Sequence, residues 1–343
     1  PGPARLSLHS RKRAQAADDG GRRNIMIPGG ADYNELSALR GAVAAVTEHL
    51  SIGTSGTNLK TRHPVITASM GATLNSLSQG RLALGRASGV GWRCKDRNVA
   101  CPTVEREAES TELMRTRWRG ERELNHQSAL GSYPALQLAH YVNEDIPVRY
   151  VGFGPNSLHQ AGKVYDGAHL HTFMSDQALS EAVTHFRAGE DETGRSGGKL
   201  WSVFATACDV SDERYLKLIV ARLATYLQIP GYGEALVNVN GWDMETLHAF
   251  RSAPIVANMT GAIDSVASYT ELAEIEKLIP EHWRPAAVGD AKTCAQRWLD
   301  QFTAGADGII IHASTPEEFA PVLAEYEKIR SSELFTERSN RPG

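Results

Sequence analysis

The sequence predicts a parallel α/β fold, and three observations lead to that prediction. Residues 50–84 run from a short apolar stretch through a polar loop into a helical pattern and then into a second apolar stretch. The same order of strand, turn and helix start recurs at 147–164 and at 308–316. A chain of 343 residues has room for one large α/β barrel or for two smaller domains. In such folds the ligand lies at the carboxyl ends of the strands.

The loop after the strand at 50–53 is long and polar. It reads Thr54-Ser55-Gly56-Thr57-Asn58 and offers backbone N–H groups and hydroxyls that can face an anion or a cofactor ring. An ordinary solvated connection between strand and helix is the alternative. The next helix begins near His63-Pro64, because proline costs no hydrogen bond in a first helical turn. Gly80 ends that helix.

Composition excludes several classes of function. A net charge of −4 gives no reason to expect nucleic acid or an anionic membrane as a partner. The four cysteines are scattered without metal-site or disulfide-framework spacing. No apolar run approaches the ~20 residues that span a bilayer, and no apolar core follows the basic N-terminal segment as in a signal peptide. We expect a cytoplasmic protein.

The first half of the chain continues the alternation of strands and helices. Residues 24–27 predict a buried strand, 34–49 a helix, 82–84 a strand and 103–120 a helix. The loop after 84 carries Gly85, Arg86 and Gly89; Arg86 either pairs with a phosphate or is solvated. In the helix at 103–120, Leu113, Met114 and Trp118 are the expected buried positions, and its charged residues are expected to form a solvated face. Residues 121–145 read as polar and irregular.

The segment at 147–164 predicts an anion site. A strand at 147–152 is followed by Phe153-Gly154-Pro155 and a helix from about 157 to 164. Free N–H groups and the positive end of the helix dipole point the same way at such a helix start. The alternative is a tight turn that needs glycine for its geometry alone.

Two histidines follow on the next strand. Alternation along 168–173 places His169 and His171 on one face, and His171 falls at the strand's carboxyl end. Facing histidines suggest a metal, but no third ligand is visible at useful spacing, so packing and hydrogen bonding are favoured. His171 can bind substrate or position a proton.

The second half predicts a helix at 176–188, a glycine-rich loop at 189–199 and a strand at 200–208. Ser211 is the expected cap of a helix that runs to about 228. Amphipathic helices follow at 229–285, in which Tyr232, Trp242 and Phe250 are assigned to the core. A helix at 291–304, a last strand at 308–312 and a helix starting at Thr315-Pro316 complete the order. Residues 331–343 predict a disordered tail.

Several long segments together resemble the luciferase-like flavin and deazaflavin oxidoreductases. They are GTSGTN and TRHP at 53–64, LSQGR and LALG at 77–85, VGFGPNSLHQAGKVYDGAHLHTF at 151–173, WSVFATACDV at 201–210, LATYLQIPGYGEALVNVNGWD at 223–243 and AGADGIIIHASTP at 304–316. The sequence is most similar to the actinobacterial branch that uses coenzyme F420. This resemblance implies a TIM-type (β/α)₈ barrel as one domain over 1–330, with the helices at 229–285 inserted over its mouth. It also implies a first strand upstream of Leu8, where little can form one, and a charged pair where this chain has Gly29-Gly30.

The resemblance also implies the site. Ser55, Gly56, Thr57 and Asn58 would lie beside the cofactor ring, and Gly85, Gly89, Gly152, Phe153 and Gly154 near its phosphate. Arg62 and His63 either contact the cofactor or cap a helix, and His171 and His312 are the candidates for proton transfer. No metal is expected.

The function implied is hydride transfer between coenzyme F420 and a small organic substrate, by a homodimer. An FMN-dependent monooxygenase of the same fold is one alternative. A barrel that has lost catalysis and serves as a binding or structural protein is another.

Overall fold

In the computed structural model of the protein, the described residues are 24–27, 35–58, 62–87, 103–140, 142, 145–312 and 314–330. Eight of the strands in this part form one sheet, in the order β1-β2-β3-β6-β7-β8-β10, with β9 paired to β8. Every pairing within this sheet is parallel. The strands are β1 Asn24–Ile27, β2 Ser51–Thr54, β3 Leu82–Arg86, β4 Glu123–Ser128, β5 Gly131–Leu136, β6 Val148–Val151, β7 Gly167–His169, β8 Lys199–Cys208, β9 Ala287–Gly289 and β10 Gly308–His312.

Helices connect these strands, as a TIM-type fold requires, so the predicted fold class is confirmed. They are α1 Leu36–Ala44, α2 Pro64–Leu77, α3 Val104–Trp118, α4 Pro155–Val164, α5 Asp176–Glu192, α6 Asp212–Tyr215, α7 Ala221–Gln228, α8 Tyr232–Asn240, α9 Met244–Ser252, α10 Pro254–Ala257, α11 Ile263–Val266, α12 Tyr269–Glu276, α13 Ala291–Thr303 and α14 Pro316–Ile329. A π-helical turn, Leu216–Val220, joins α6 to α7 without a break, which agrees with the single long helix predicted there.

Two predicted loops contain regular structure instead. Residues 121–145 hold the antiparallel hairpin β4–β5, and the first residues of the predicted loop at 189–199 belong to the last turn of α5. Both strands of the hairpin are largely exposed on both faces. Because Leu136 is the one buried residue of these two strands, the sequence shows no alternation of apolar and polar residues, and the strands could not be recognised from periodicity.

Two glycines allow helices α4 and α5 to pack closely against each other. A Cβ added at Gly162 of α4 would lie 2.0 Å from the carbonyl oxygen of Phe186, and one at Gly189 of α5 would lie 1.9 Å from that of His159. The two helices therefore touch backbone to backbone, which only glycine allows. This contact fixes the position of α4, whose first turn faces the carboxyl ends of the strands.

The helices between 229 and 285 share a hydrophobic core with α7 and with Ala205 and Ala207 of β8. Phe250 is 2% exposed and lies in this core as predicted, whereas Trp242 is partly buried and packs against the core by stacking on buried Trp283, with 4.9 Å between ring centroids. Tyr232 lies elsewhere: its ring contacts Phe153 and His171 at the carboxyl end of the sheet.

Several predictions concern parts of the chain outside the described residues. These are the strand upstream of Leu8, Gly29-Gly30, Gly89 and the tail at 331–343. Within the described ranges, no pairing joins β1 to β10. The organisation as one domain over 1–330 stays a prediction. None of the helices in the described part of the chain is long and apolar enough to span a membrane.

Candidate active site

The loop after β2 is held against the end of β3. Thr57 donates its backbone N–H to the carbonyl of Gly85 at 2.8 Å, and Ala87 donates to the carbonyl of Thr57 at 2.8 Å. The hydroxyl of Thr54 donates to the same Gly85 carbonyl at 2.6 Å. The Ser55–Gly56 peptide bond is cis. The hydrogen bonds of Thr54 and Thr57 hold the loop that carries Ser55, Gly56, Thr57 and Asn58 at the carboxyl end of the sheet.

Close packing explains why three of the glycines predicted for the site carry no side chain. A Cβ at Gly85 would lie 1.9 Å from the carbonyl oxygen of Thr54, and one at Gly152 would lie 2.5 Å from the ring of Tyr150. At Gly56 a Cβ would press on Ala87 and Val151 at 3.0–3.2 Å. Contacts of these glycines with a cofactor stay predictions, and the close approach of neighbouring groups already accounts for the absence of side chains.

The start of α4 differs from the other helix starts that follow strands of the sheet. In the described structure those helices have a side chain that accepts a hydrogen bond from the first turn, whereas α4 begins at Gly154 with no such cap. The capping residues elsewhere are Glu35, His63, Thr103, Ser175, Ser211, Asp290 and Thr315. A Cβ at Gly154 would meet only Ser157 Oγ, at 3.8 Å. The first turn of α4 thus presents uncapped N–H groups beside an open space, which suits an anion.

His171 lies beside this helix start in a group of aromatic rings. Its ring centroid is 4.6 Å from that of Phe153, 4.7 Å from that of Tyr226 and 5.3 Å from that of Tyr232. Both ring nitrogens are buried, and neither has a well-formed hydrogen bond to a described residue. Burial lowers the pKa of His171 to about 3, so the imidazole is neutral at pH 7.

His312, at the end of β10, meets the same group through Thr172. The Thr172 hydroxyl and His312 Nδ1 are 2.9 Å apart, which orients the ring and leaves Nε2 for another partner. Burial, with a smaller effect of the Arg222 charge, lowers the pKa of His312 to about 4. Two neutral imidazoles therefore lie at the mouth, each able to accept one proton.

His169 is the last residue of β7, two positions before His171. It is fully buried, its ring centroid lies 6.5 Å from that of Trp201, and neither of its nitrogens has a partner in the described part of the chain. Burial holds its pKa well below the usual value. Among the described residues, no three His, Cys, Asp or Glu side chains cluster closely enough to hold a metal ion.

Arg62 and His63 have partners within the protein. His63 caps α2 by accepting a hydrogen bond from the N–H of Val65 at 3.3 Å, and its Nε2 lies 2.9 Å from the hydroxyl of Tyr133. Arg62 forms an ion pair with Glu35. His63 thus caps α2, which was one of its two predicted roles. A cofactor contact of Arg62 or His63 stays a prediction.

Arg86 and the charged face of α3 require a correction. Arg86 is 1% exposed and lies under α3, where it donates to Glu107 at 2.8 Å and to Ser110 at 2.6 Å. It is neither solvated nor turned toward the ligand side of the sheet. Arg117 of α3 is also buried, so the charged residues of this helix are only partly a solvated face. Leu113, Met114 and Trp118 are buried as predicted.

Sequence reasoning missed three residues of this site: Arg222, Tyr226 and Tyr232. Arg222 and Tyr226 are four residues apart on α7, and Tyr226 contacts His171 directly. That spacing on a helix next to the GYG turn at 231–233 was the available signal, since residues i and i+4 share a helix face.

The buried histidines predict that acid destabilises the protein. The pKa of His171 is 6.5 when unperturbed and about 3 when folded, so between these values the unfolded chain binds more protons. Stability is then fully present above about pH 6.5 and falls as the pH decreases, by about 2 kcal/mol at pH 5 for this residue alone. Urea unfolding of wild type and His171→Phe at pH 7.5 and 5 measures this. We expect the variant to lose about 2 kcal/mol less than wild type, and equal losses would contradict the prediction.

Comparison with known proteins places this geometry in context. A model of the family described as luciferase-like monooxygenase matches residues 9–331. The 5,10-methylenetetrahydromethanopterin reductase of Methanopyrus kandleri is 28% identical over 237 residues, which are 62% of this chain and 65% of that protein. The chain thus spans slightly less than two thirds of the length of this relative.

Two solved structures show the same fold. The coenzyme F420-dependent tetrahydromethanopterin reductase from Methanopyrus kandleri has a TM-score of 0.76 at 18% identity, and the alignment covers 93% of each chain. The oxygenating constituent of 3,6-diketocamphane monooxygenase from Pseudomonas putida, in complex with FMN, has a TM-score of 0.68 at 16% identity. That alignment covers 98% of this chain and 93% of the monooxygenase.

Proposed function

The chain belongs to the luciferase-like monooxygenase family, and from this premise we propose that it transfers a hydride between coenzyme F420 and a small organic substrate. Family membership makes it an oxidoreductase, and its relatives favour catalysis over a barrel that only binds or supports. The choice of F420 rests on the sequence motifs and on the F420-dependent reductase among its structural neighbours. A homodimer and a cytoplasmic location stay predictions.

The observation that carries the proposal is the uncapped start of α4 beside the neutral imidazole of His171. An anionic tail fits the free N–H groups of the first turn, and the open space at Gly154 leaves room for it. The buried, unpaired nitrogens of His171 need partners that a polar ring or substrate would supply. The residues present therefore suit a cofactor that has both an anionic tail and a flat polar ring.

When bound, F420 supplies a deazaflavin ring that accepts or gives a hydride. In the oxidation of an alcohol, the C–H bond breaks with its electron pair leaving as hydride, and the hydroxyl proton must go to a base. His312 Nε2 takes that proton in the tautomer in which Nδ1 carries the hydrogen and donates it to the Thr172 hydroxyl, 2.9 Å away. The aromatic rings of Phe153, Tyr226 and Tyr232 surround His171 and keep water from the reacting groups.

FMN is the second candidate, because a structural neighbour of the same fold binds it. Its phosphate would fit the same helix start. The monooxygenase reaction would then need molecular oxygen and a supply of reduced flavin, so the identity of the cofactor separates the two functions.

The experiment is a titration of the purified protein with F420 and with FMN, followed by cofactor fluorescence. We expect saturable binding with preference for F420. Gly154→Asp places a negative charge at the start of α4 and is expected to weaken binding at least tenfold, about 1.4 kcal/mol. Gly154→Asn is the matched control: it adds a cap of the same shape without charge, and both substitutions suit an N-cap position.

Three outcomes would contradict parts of the proposal. Preference for FMN would favour the monooxygenase alternative. If Gly154→Asp and Gly154→Asn bound the cofactor with equal affinity, the anionic tail would not bind at the start of α4. If the folded protein bound neither cofactor, the hydride-transfer proposal would fail.

A further inference from the structure

A helical rod, formed by α6, the π-helical turn and α7 over residues 212–228, crosses the mouth of the barrel. At its start, Arg214 of α6 forms an ion pair of 2.7 Å with Glu318 in the first turn of α14, which follows β10. At its other end, Tyr226 of α7 lies against His171, which follows β7. The rod is continuous through the π-helical turn, so the residues between these two contacts pass over the space between β10 and β7.

Arg222 lies within this crossing, four residues before Tyr226 and therefore on the same face. Its Nη1 is 2.7 Å from Asp264 Oδ2, and the side chains are 36% and 17% exposed. Asp264 is itself held, because its N–H donates to the hydroxyl of Thr225 at 2.9 Å and its Oδ1 accepts from Ser265 Oγ at 3.1 Å. The carboxylate thus fixes one side of the guanidinium.

The other side of the guanidinium has no role in the described structure. Neither Nε nor Nη2 of Arg222 has a hydrogen-bond partner among the residues described. The positive charge nevertheless acts on the site, since it helps to lower the pKa of His312. Arg222 is therefore a cation that is oriented on one edge, open on the other and close to the base assigned to proton transfer.

We propose that Arg222 binds a carboxylate or phosphate group of the substrate, which makes the substrate a small organic anion. A guanidinium edge with two free N–H groups matches the two oxygens of such a group. The anion would be held at α7 while the carbon that loses or gains the hydride lies near His312. This inference rests on the proposed function for the identity of the site. It assigns Arg222 to the substrate, whereas the anionic tail of the cofactor is assigned to the start of α4.

The test uses the intact protein labelled with ¹⁵N in its histidine rings. Inorganic phosphate and acetate are titrated at constant ionic strength, and the ring resonances of His312 are followed. We expect a saturable shift in wild type, and at least tenfold weaker binding in Arg222→Gln. Arg214→Gln is the matched control, because it removes an arginine paired to a carboxylate from the same rod and is expected to bind as wild type does.

A second arm distinguishes substrate from cofactor. F420 affinity measured on Arg222→Gln is expected to change less than twofold, because the tail is assigned to α4. A tenfold loss of F420 affinity would overturn the assignment to substrate. Equal anion binding by wild type and Arg222→Gln, or no saturable shift in wild type, would overturn the site itself.

The two proposals fail separately. If F420 binds and no anion site depends on Arg222, the inference fails while hydride transfer stands. If phosphate binds through Arg222 but the wild type binds neither F420 nor FMN, the anion site stands while the proposed function fails.

Discussion

Replacing Glu107 with leucine is expected to lower the free energy of unfolding by about 3 to 5 kcal/mol. Glu107 is the carboxylate partner of Arg86, and both side chains are nearly inaccessible to solvent, at 7% and 1% exposure. Removal of the Glu107 carboxylate leaves the Arg86 guanidinium buried beneath α3. Its hydrogen bond of 2.6 Å to the Ser110 hydroxyl remains. The large loss comes from the uncompensated charge and not from the intrinsic strength of the pair.

Urea unfolding followed by circular dichroism measures this loss. Glu112→Leu is the control on the same helix: Glu112 pairs with Arg119, is 59% exposed, and its loss should cost less than about 1 kcal/mol. The double variant Arg86→Met/Glu107→Leu removes both charges and should recover most of the stability. A double variant as unstable as Glu107→Leu would show that packing, and not the unpaired charge, causes the loss.

This ion pair also shows where sequence reasoning reached its limit. The Glu and Arg residues of α3 have the spacing of a solvated face, and local periodicity cannot show that Arg86 approaches Glu107 from a strand 21 residues away. The burial of a charge depends on its tertiary partner. The same limit applies to Tyr232, which was assigned to the core and lies beside His171 instead.

Other features of the site were predictable because topology determines them. His171 and His312 are 141 positions apart, but His171 lies two residues after β7 and His312 ends β10, so the rule that parallel strand ends share one edge brought them together. The helix starts at Pro64 and Pro316 and the cap at Ser211 follow from local backbone chemistry, and the structure has all three. The hydrogen bond between Thr172 and His312 could not be predicted, because it depends on side-chain rotation in the turn after β7 and at the end of β10, and these two strands are not neighbours.

Replacing His312 with phenylalanine is expected to lower the turnover number by about 10²- to 10⁴-fold, the usual contribution of a general acid or base. The measurement is steady-state hydride transfer with F420 and an organic anion that the wild type accepts. Binding of F420 should change little, because the cofactor tail is assigned to the other side of the mouth at α4. The turnover number of Thr172→Val should fall less, since that variant keeps the imidazole and removes only the hydroxyl that orients it.

The pH profile separates catalysis by His312 from a structural effect of its replacement. A base must be unprotonated, so turnover should fall as the pH decreases toward the pKa of His312, about 4. Arg222→Gln removes a positive charge that lowers this pKa, and the acidic limb of the profile should therefore move to higher pH. A structural role for His312 would not give that displacement. If the limb stayed fixed in Arg222→Gln, or if His312→Phe turned over substrate within tenfold of wild type, another group would be the base, and His171→Phe would then be the variant that loses turnover.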